Sequence, residues 1–136
     1  MTRQPLLTKP KAKRQYPETE LQKAVVQVLM LFGKRDVVWY SIPNGAKLAK
    51  RTAIYLKQTG MVAGAADLAF VVNGYAYFME LKAGKGKQSP EQKAFESRVF
   101  ASKSSYIVVN DIDVAIDYLE AWGVIRPYPR RSRITL

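Results

Sequence analysis

The sequence predicts a single α/β domain, a mixed sheet flanked by helices in the order α-β-α-β-β-α-β-α. Three observations predict it. Asn73-Gly74 sits between two apolar, β-branched and aromatic runs, the strongest short-range signal for a two-residue hairpin. Helical and strand periodicities alternate on both sides of that hairpin, each run closed by Gly, Pro or Asp. With 136 residues, 48% of them hydrophobic, the chain has material for one core.

Residues 1–16 hold Pro5, Pro10 and the run Lys9-Pro-Lys-Ala-Lys-Arg14, with little to bury, and read as a basic flexible arm. The first helix opens at Pro17, with Glu18 and Glu20 at its positive end. Its stripe is Leu21, Val25, Val28, Leu29 and Phe32, and Gly33 ends it. Residues 37–42 form the first strand, stopped by Pro43-Asn44-Gly45. Residues 46–58 read as a helix with Leu48, Thr52, Tyr55 and Leu56 on one side, Lys47, Lys50 and Arg51 on another, and Gly60 as its stop. Strands 66–72 and 75–82 make the hairpin. Lys82 to Gln88 is a basic glycine-rich loop without the spacing of a P-loop. Ser89-Pro90-Glu91-Gln92 starts a helix: Ser caps, Pro takes the first position, and Gln lies three after the cap. That helix runs to about Lys103 with Phe95 and Val99 inward. Residues 105–109 form a buried strand, and Asp111 caps a last helix to Trp122. Residues 123–136 read as a basic, proline-broken tail, which sets the domain at 17–122.

Composition removes most catalytic repertoires. The chain has no Cys and no His, so disulfides, thiolate or imidazole zinc sites, cysteine nucleophiles and Ser-His-Asp triads are excluded. Carboxylates, lysine, tyrosine and a hard metal ion remain. No apolar run is long enough for a membrane span and no secretory leader pattern is present, so a soluble, cytoplasmic protein is expected. A net charge of +11 is the electrostatic footprint of a nucleic-acid binder. Within residues 1–58 the only acids are Glu18, Glu20 and Asp36, while Asp111, Asp113, Asp117 and Glu120 collect on the last helix, expected to face away from the polyanion.

The hairpin turns spacing into geometry. If Val72 faces Tyr75 across a type I′ turn, the register carries Asp67 opposite Glu80, with Cβ atoms about 4.5–5.5 Å apart. Lys82, two residues beyond Glu80, shares their face. Two like charges directly opposite destabilise a sheet. A divalent cation removes that repulsion, since hard cations such as Mg²⁺ take one or two carboxylates plus waters and phosphates. A single Asp or Glu on a solvated strand is ordinary. All three on one face, between Gly64 and Gly84, read as a metal-plus-lysine site.

These residues resemble the PD-(D/E)xK nucleases, and within them the VRR-NUC family, over about residues 17–120. Pro17-Glu18-Thr19-Glu20-Leu21-Gln22 is similar to the family's opening Glu-x-x-hydrophobic-Gln motif, and Ile42-Pro43-Asn44-Gly45 to its Pro-Asn. Gly60 through Gly64 to Asp67-Leu68 is similar to Gly-x-x-x-Gly-x-x-Asp-Leu. Met79-Glu80-Leu81-Lys82 and Ser89-Pro90-Glu91-Gln92 are similar to Glu-Leu-Lys and Ser-x-x-Gln. One departure is Ala66, where the superfamily has Pro; that position shapes backbone and holds no metal.

The resemblance implies a restriction-endonuclease-like domain that hydrolyses DNA phosphodiesters. Asp67, Glu80 and the Leu81 backbone carbonyl would hold Mg²⁺ or Mn²⁺, with Glu18 joining directly or through water. Lys82 would orient the attacking water and steady charge on phosphorus. Gln92 is explained by the capping box and, in relatives, also sits by the active site. Asn44 is either a turn residue or, with Lys47, Lys50, Arg51, Lys85 and Lys87, a DNA contact. Chains this short resemble viral and bacterial stand-alone nucleases of branched DNA, so the expectation is a homodimer cutting four-way junctions in a bacterial or phage-infected cell. A nuclease of duplex or flap DNA is the nearest rival. A non-catalytic basic nucleic-acid-binding protein with a decayed site is opposed by the intact Asp67, Glu80 and Lys82, and a structural RNA-binding protein fits the charge but leaves the opposed carboxylates unexplained.

Overall fold

The computed structural model describes residues 16–43 and 49–129. The elements come in the expected order: α1 (Tyr16–Phe32), β1 (Val38–Ser41), α2 (Lys50–Gln58), β2 (Leu68–Val72), β3 (Tyr75–Leu81), α3 (Pro90–Ala101), β4 (Ser105–Val109) and α4 (Ile112–Ala121). In space the strands lie β1-β2-β3-β4. The first three are antiparallel, and β3 pairs parallel with β4. A parallel pair needs a crossover, and α3 supplies it.

The hairpin turn has the chemistry its sequence requires. Asn73 has φ of 52° and Gly74 of 79°, the left-handed pair of a type I′ turn, which Asn and Gly tolerate best. The register follows: Val72 faces Tyr75 and Leu68 faces Met79.

Alternation then divides the sheet into two faces. One carries Leu68, Phe70, Val72, Met79 and Leu81 against Val25, Val28 and Leu29 of α1 and Ala115, Ile116 and Leu119 of α4; this is the main core. Phe70 is fully buried, and Phe70→Ala would cost about 3–5 kcal/mol by the usual cavity penalty. The other face carries Phe78, which packs with Phe95 and Val99 of α3 and Tyr106 of β4. Asp67, Glu80 and Lys82 belong to this second face by alternation. α3 covers it only over β3 and β4, leaving Val38, Tyr40 and Val71 exposed on the β1 side.

Two expectations change. The domain does not stop at Trp122: Val124 and Ile125 are buried in the main core, Ile125 bridges Gly33, and the Arg126 N–H bonds to the Phe32 carbonyl. α2 has no buried residue; Thr52 and Tyr55, expected on its inner side, are exposed. It packs on no other helix or strand among the described residues. Residues 1–15 and 130–136 of the expected arm and tail lie outside the described residues. No described helix is long and apolar enough to cross a membrane.

Candidate active site

Asp67 ends the loop that enters β2, one residue before the ladder begins, and its position carries it across from Glu80 of β3. Its carbonyl accepts the Ile42 N–H, and its side-chain Oδ2 accepts the Leu81 N–H at 2.7 Å. The carboxylate is therefore held at both ends of its residue. Burial raises its pKa above the ordinary value, and Glu18 adds to the rise. The Leu81 hydrogen bond and Lys82 oppose it.

Glu80 stands apart: at 2% exposed it is, among the described residues, the buried charged side chain in an otherwise apolar set. Its Oε2 accepts the Gln92 side-chain amide at 2.7 Å and lies 3.7 Å from the Lys82 Nζ. Its Oε1 is buried with no hydrogen-bond partner. Burial, then the charge of Asp67, pushes its pKa up to about 8, against the pull of Lys82. Buried polar atoms are nearly always satisfied, and an orphan amid these charges asks for an explanation. A proton or a cation on Oε1 supplies one.

The remaining expected residues fall into five groups. Lys82 and Gln92 contact Glu80 directly, and the Lys82 charge is also felt at Asp67. Glu18, in the first turn of α1, is exposed, and its charge is felt at both Asp67 and Glu80. Among the described residues no three acids converge closely enough to hold a metal ion by themselves, so Glu18 stands at the rim of an acidic pair. The Leu81 side chain is buried in the main core, and its backbone N–H goes to Asp67. Lys50 and Arg51 begin α2, and Lys85 and Lys87 lie in the loop after β3; all four are exposed. Asn44 and Lys47 lie outside the described residues.

The sequence left two supports unread. Asn110 Nδ2 donates to the Gly84 carbonyl, tying the basic loop to the end of β4. Gln88 Nε2 donates to Glu96 Oε1 at 3.0 Å and to the Tyr106 hydroxyl at 3.2 Å, anchoring the same loop where it enters α3. Neither contact has a local spacing signature.

By sequence alone the chain matches no family profile and no curated relative. Its structure does match. A solved VRR_NUC domain protein superposes with a TM-score of 0.65 at 20% identity, over 82% of this chain and 97% of that one. A second solved VRR_NUC domain gives 0.52 at 18% identity, over 77% and 95%.

The chain has the VRR_NUC fold.

The expected single α/β domain with a mixed sheet flanked by helices is its architecture. At these identities the likeness is one of fold. Within that fold Asp67, Glu80, Lys82 and Gln92 come together at one end of the sheet, where β2 begins and β3 ends.

Proposed function

We propose that this chain is a Mg²⁺- or Mn²⁺-dependent endodeoxyribonuclease acting on branched DNA as a homodimer. The observation that carries the reading is Glu80: a buried carboxylate with one oxygen held by Gln92 and Lys82, the other orphaned, and a second carboxylate across the hairpin. That donor set suits a hard divalent cation. Asp67, Glu80 and the Leu81 carbonyl would hold it, with Glu18 adding a ligand directly or through water. When bound, such an ion generates a nucleophile from water near neutral pH and neutralises developing phosphoryl charge.

The chain's own residues do the rest. Gln92 fixes the Glu80 carboxylate so that Oε1 is left for the ion. The Lys82 ammonium orients the attacking water and balances charge on the phosphoryl oxygens. Lys50, Arg51, Lys85 and Lys87, with Lys47 and Asn44, contact the DNA backbone, and cytoplasmic DNA is the substrate.

Branched DNA and dimerisation go together. One acidic pair cuts one strand, whereas resolving a four-way junction takes two paired nicks, which a two-fold dimer delivers. Of the aromatics available for such an interface, Trp39, Trp122 and Tyr128 pack on the core, while Tyr40 and Tyr55 are 52% and 61% exposed. Tyr40 lies beside Val38 and Val71 on the uncovered side of the sheet, and Tyr55 beside Ile54 on α2, which buries nothing. These support a second copy as the covering partner. The test is incubation with junction, flap, linear duplex and single-stranded DNA, with and without Mg²⁺, alongside sedimentation. Symmetric junction nicks by a dimer are expected. A monomer, or equal cutting of junction and duplex, removes the junction reading and leaves the nuclease.

A further inference from the structure

The first turn of α3 bonds to one half of the acidic pair and packs against the loop that leads to the other, although it contributes no carboxylate. On the Glu80 side the link is Gln92, whose side-chain amide has both ends engaged. Its Oε1 accepts the Ser89 N–H at 2.8 Å, and its Nε2 donates to Glu80 Oε2 at 2.7 Å. The Gln92 N–H in turn donates to Ser89 Oγ at 3.1 Å, completing a capping box. A primary amide has one accepting and one donating end. Because the Ser89 N–H takes the oxygen, the nitrogen must face Glu80.

On the Asp67 side the link is Gly64, three residues upstream. It has φ of 81°, and a Cβ built on it would lie 2.7 Å from the Gln92 nitrogen and closer still to the Glu91 carbonyl. The loop leading to Asp67 thus rests on the backbone of the same helical turn. Gln88, just before the cap, is held by Glu96 and Tyr106.

We propose that the Ser89 cap is a positioning device for the acidic pair: Ser89, through Gln92, fixes the Glu80 carboxylate in its metal-receiving orientation. This rests on the nuclease reading of Asp67 and Glu80. Ser89 touches neither substrate nor ion. Its N–H, which side-chain substitution keeps, orients the Gln92 amide, and its Oγ holds the Gln92 backbone N–H so that the amide stays within reach of both partners.

The test is Mn²⁺ binding to the intact protein, measured by calorimetry, with thermal melting in parallel. Ser89→Ala weakens binding roughly 3- to 10-fold, less than the 10- to 100-fold typical of a group bonded directly to a ligand. Ser89→Thr, which keeps the accepting oxygen, restores it. Ser89→Gly separates positioning from helix stability, because Gly at an N-cap costs only a few tenths of a kcal/mol relative to Ser; it melts near wild type yet binds Mn²⁺ as weakly as Ser89→Ala. Wild-type affinity in Ser89→Ala or Ser89→Gly overturns the proposal, as does failure of Ser89→Thr to restore binding. Asp67→Ala separates the two readings. If it binds Mn²⁺ like wild type, the metal site itself is misassigned; if it loses binding while Ser89→Gly keeps it, only the positioning role fails.

Discussion

Asp67 and Glu80 face each other across a hairpin whose two-residue turn, Asn73-Gly74, leaves their pairing no freedom to slip. A one-residue slip would send one carboxylate into the main core beside Met79 and Leu68, where nothing could satisfy it. The register that buries the core face therefore also builds the acidic pair.

Lys82 should separate binding from turnover. Its Nζ approaches Glu80 Oε2, whereas Oε1 is the orphaned oxygen. Lys82→Ala is expected to keep divalent-ion binding within a few-fold while cleavage falls by at least about 10²-fold, the scale of losing one charge-stabilising group. Calorimetry with Mn²⁺ and single-turnover cleavage measure the two separately. A parallel loss of both would place Lys82 in the metal site's assembly instead of its chemistry.

The two glutamates of α1 should behave differently. Glu18 acts electrostatically on Asp67 and Glu80, whereas Glu20 is exposed and pairs with Lys23 at 3.4 Å. At 3.6 residues per turn the two point about 200° apart. Glu18→Ala is expected to cripple cleavage and Glu20→Ala to leave it near wild type. The reverse ranking would mean that the other face of α1 addresses the site.

The elevated proton affinity of Glu80 has a defined sign. Burial and Asp67 raise its folded pKa to about 8, above the unfolded value of about 4.3. The folded, metal-free protein holds a proton the unfolded chain gives up, so its stability is fullest below the unfolded pKa. That contribution falls as pH rises through about 8. Metal binding must displace this proton, so affinity should climb with pH, approaching about tenfold per unit below the folded pKa, and level off above it. Thermal melting in chelator and in saturating Mg²⁺, between about pH 6 and pH 9, reads both trends. Glu80→Gln should flatten the metal-free profile. A metal-free protein that gains stability over that range would contradict the assignment.

Charge predicts salt dependence. With +11 overall, log affinity for DNA should fall steeply and linearly with log salt, by counterion release. Deleting residues 1–14 should make the slope shallower. An unchanged slope would show that this segment does not touch DNA, and a flat dependence would undercut nucleic-acid binding altogether.

What was legible in the sequence follows from what is local. The hairpin register is fixed by two residues, and the α3 cap by Ser89, Pro90 and Gln92, so both could be read directly. Helix periodicity located the core stripe of α1 because that stripe has a partner in the sheet. The same reasoning misled at α2: periodicity says which side of a helix is more apolar and is silent on whether anything covers it, and Tyr55 is exposed. The extent of the domain was misjudged because proline and arginine after Trp122 outweighed Val124 and Ile125, which are buried by α1 from across the chain. In the site, the carboxylate pair and Lys82 were legible from strand spacing. The Gln92–Glu80 bond and the Gln88–Tyr106 anchor join residues 12 and 18 positions apart in different elements, and no pattern of spacing encodes them.

Whether Asp67 and Glu80 form a metal-dependent phosphodiesterase centre is decided by cleavage of a labelled four-way junction with Mg²⁺, by wild type, Asp67→Ala and Glu80→Ala purified alike, with DNA binding measured on the same samples. Mg²⁺-dependent nicking by wild type, none above background by either variant, and DNA binding retained by all three are expected of such a centre. Cutting by either variant at near wild-type rate, or by wild type undiminished in chelator, would contradict it.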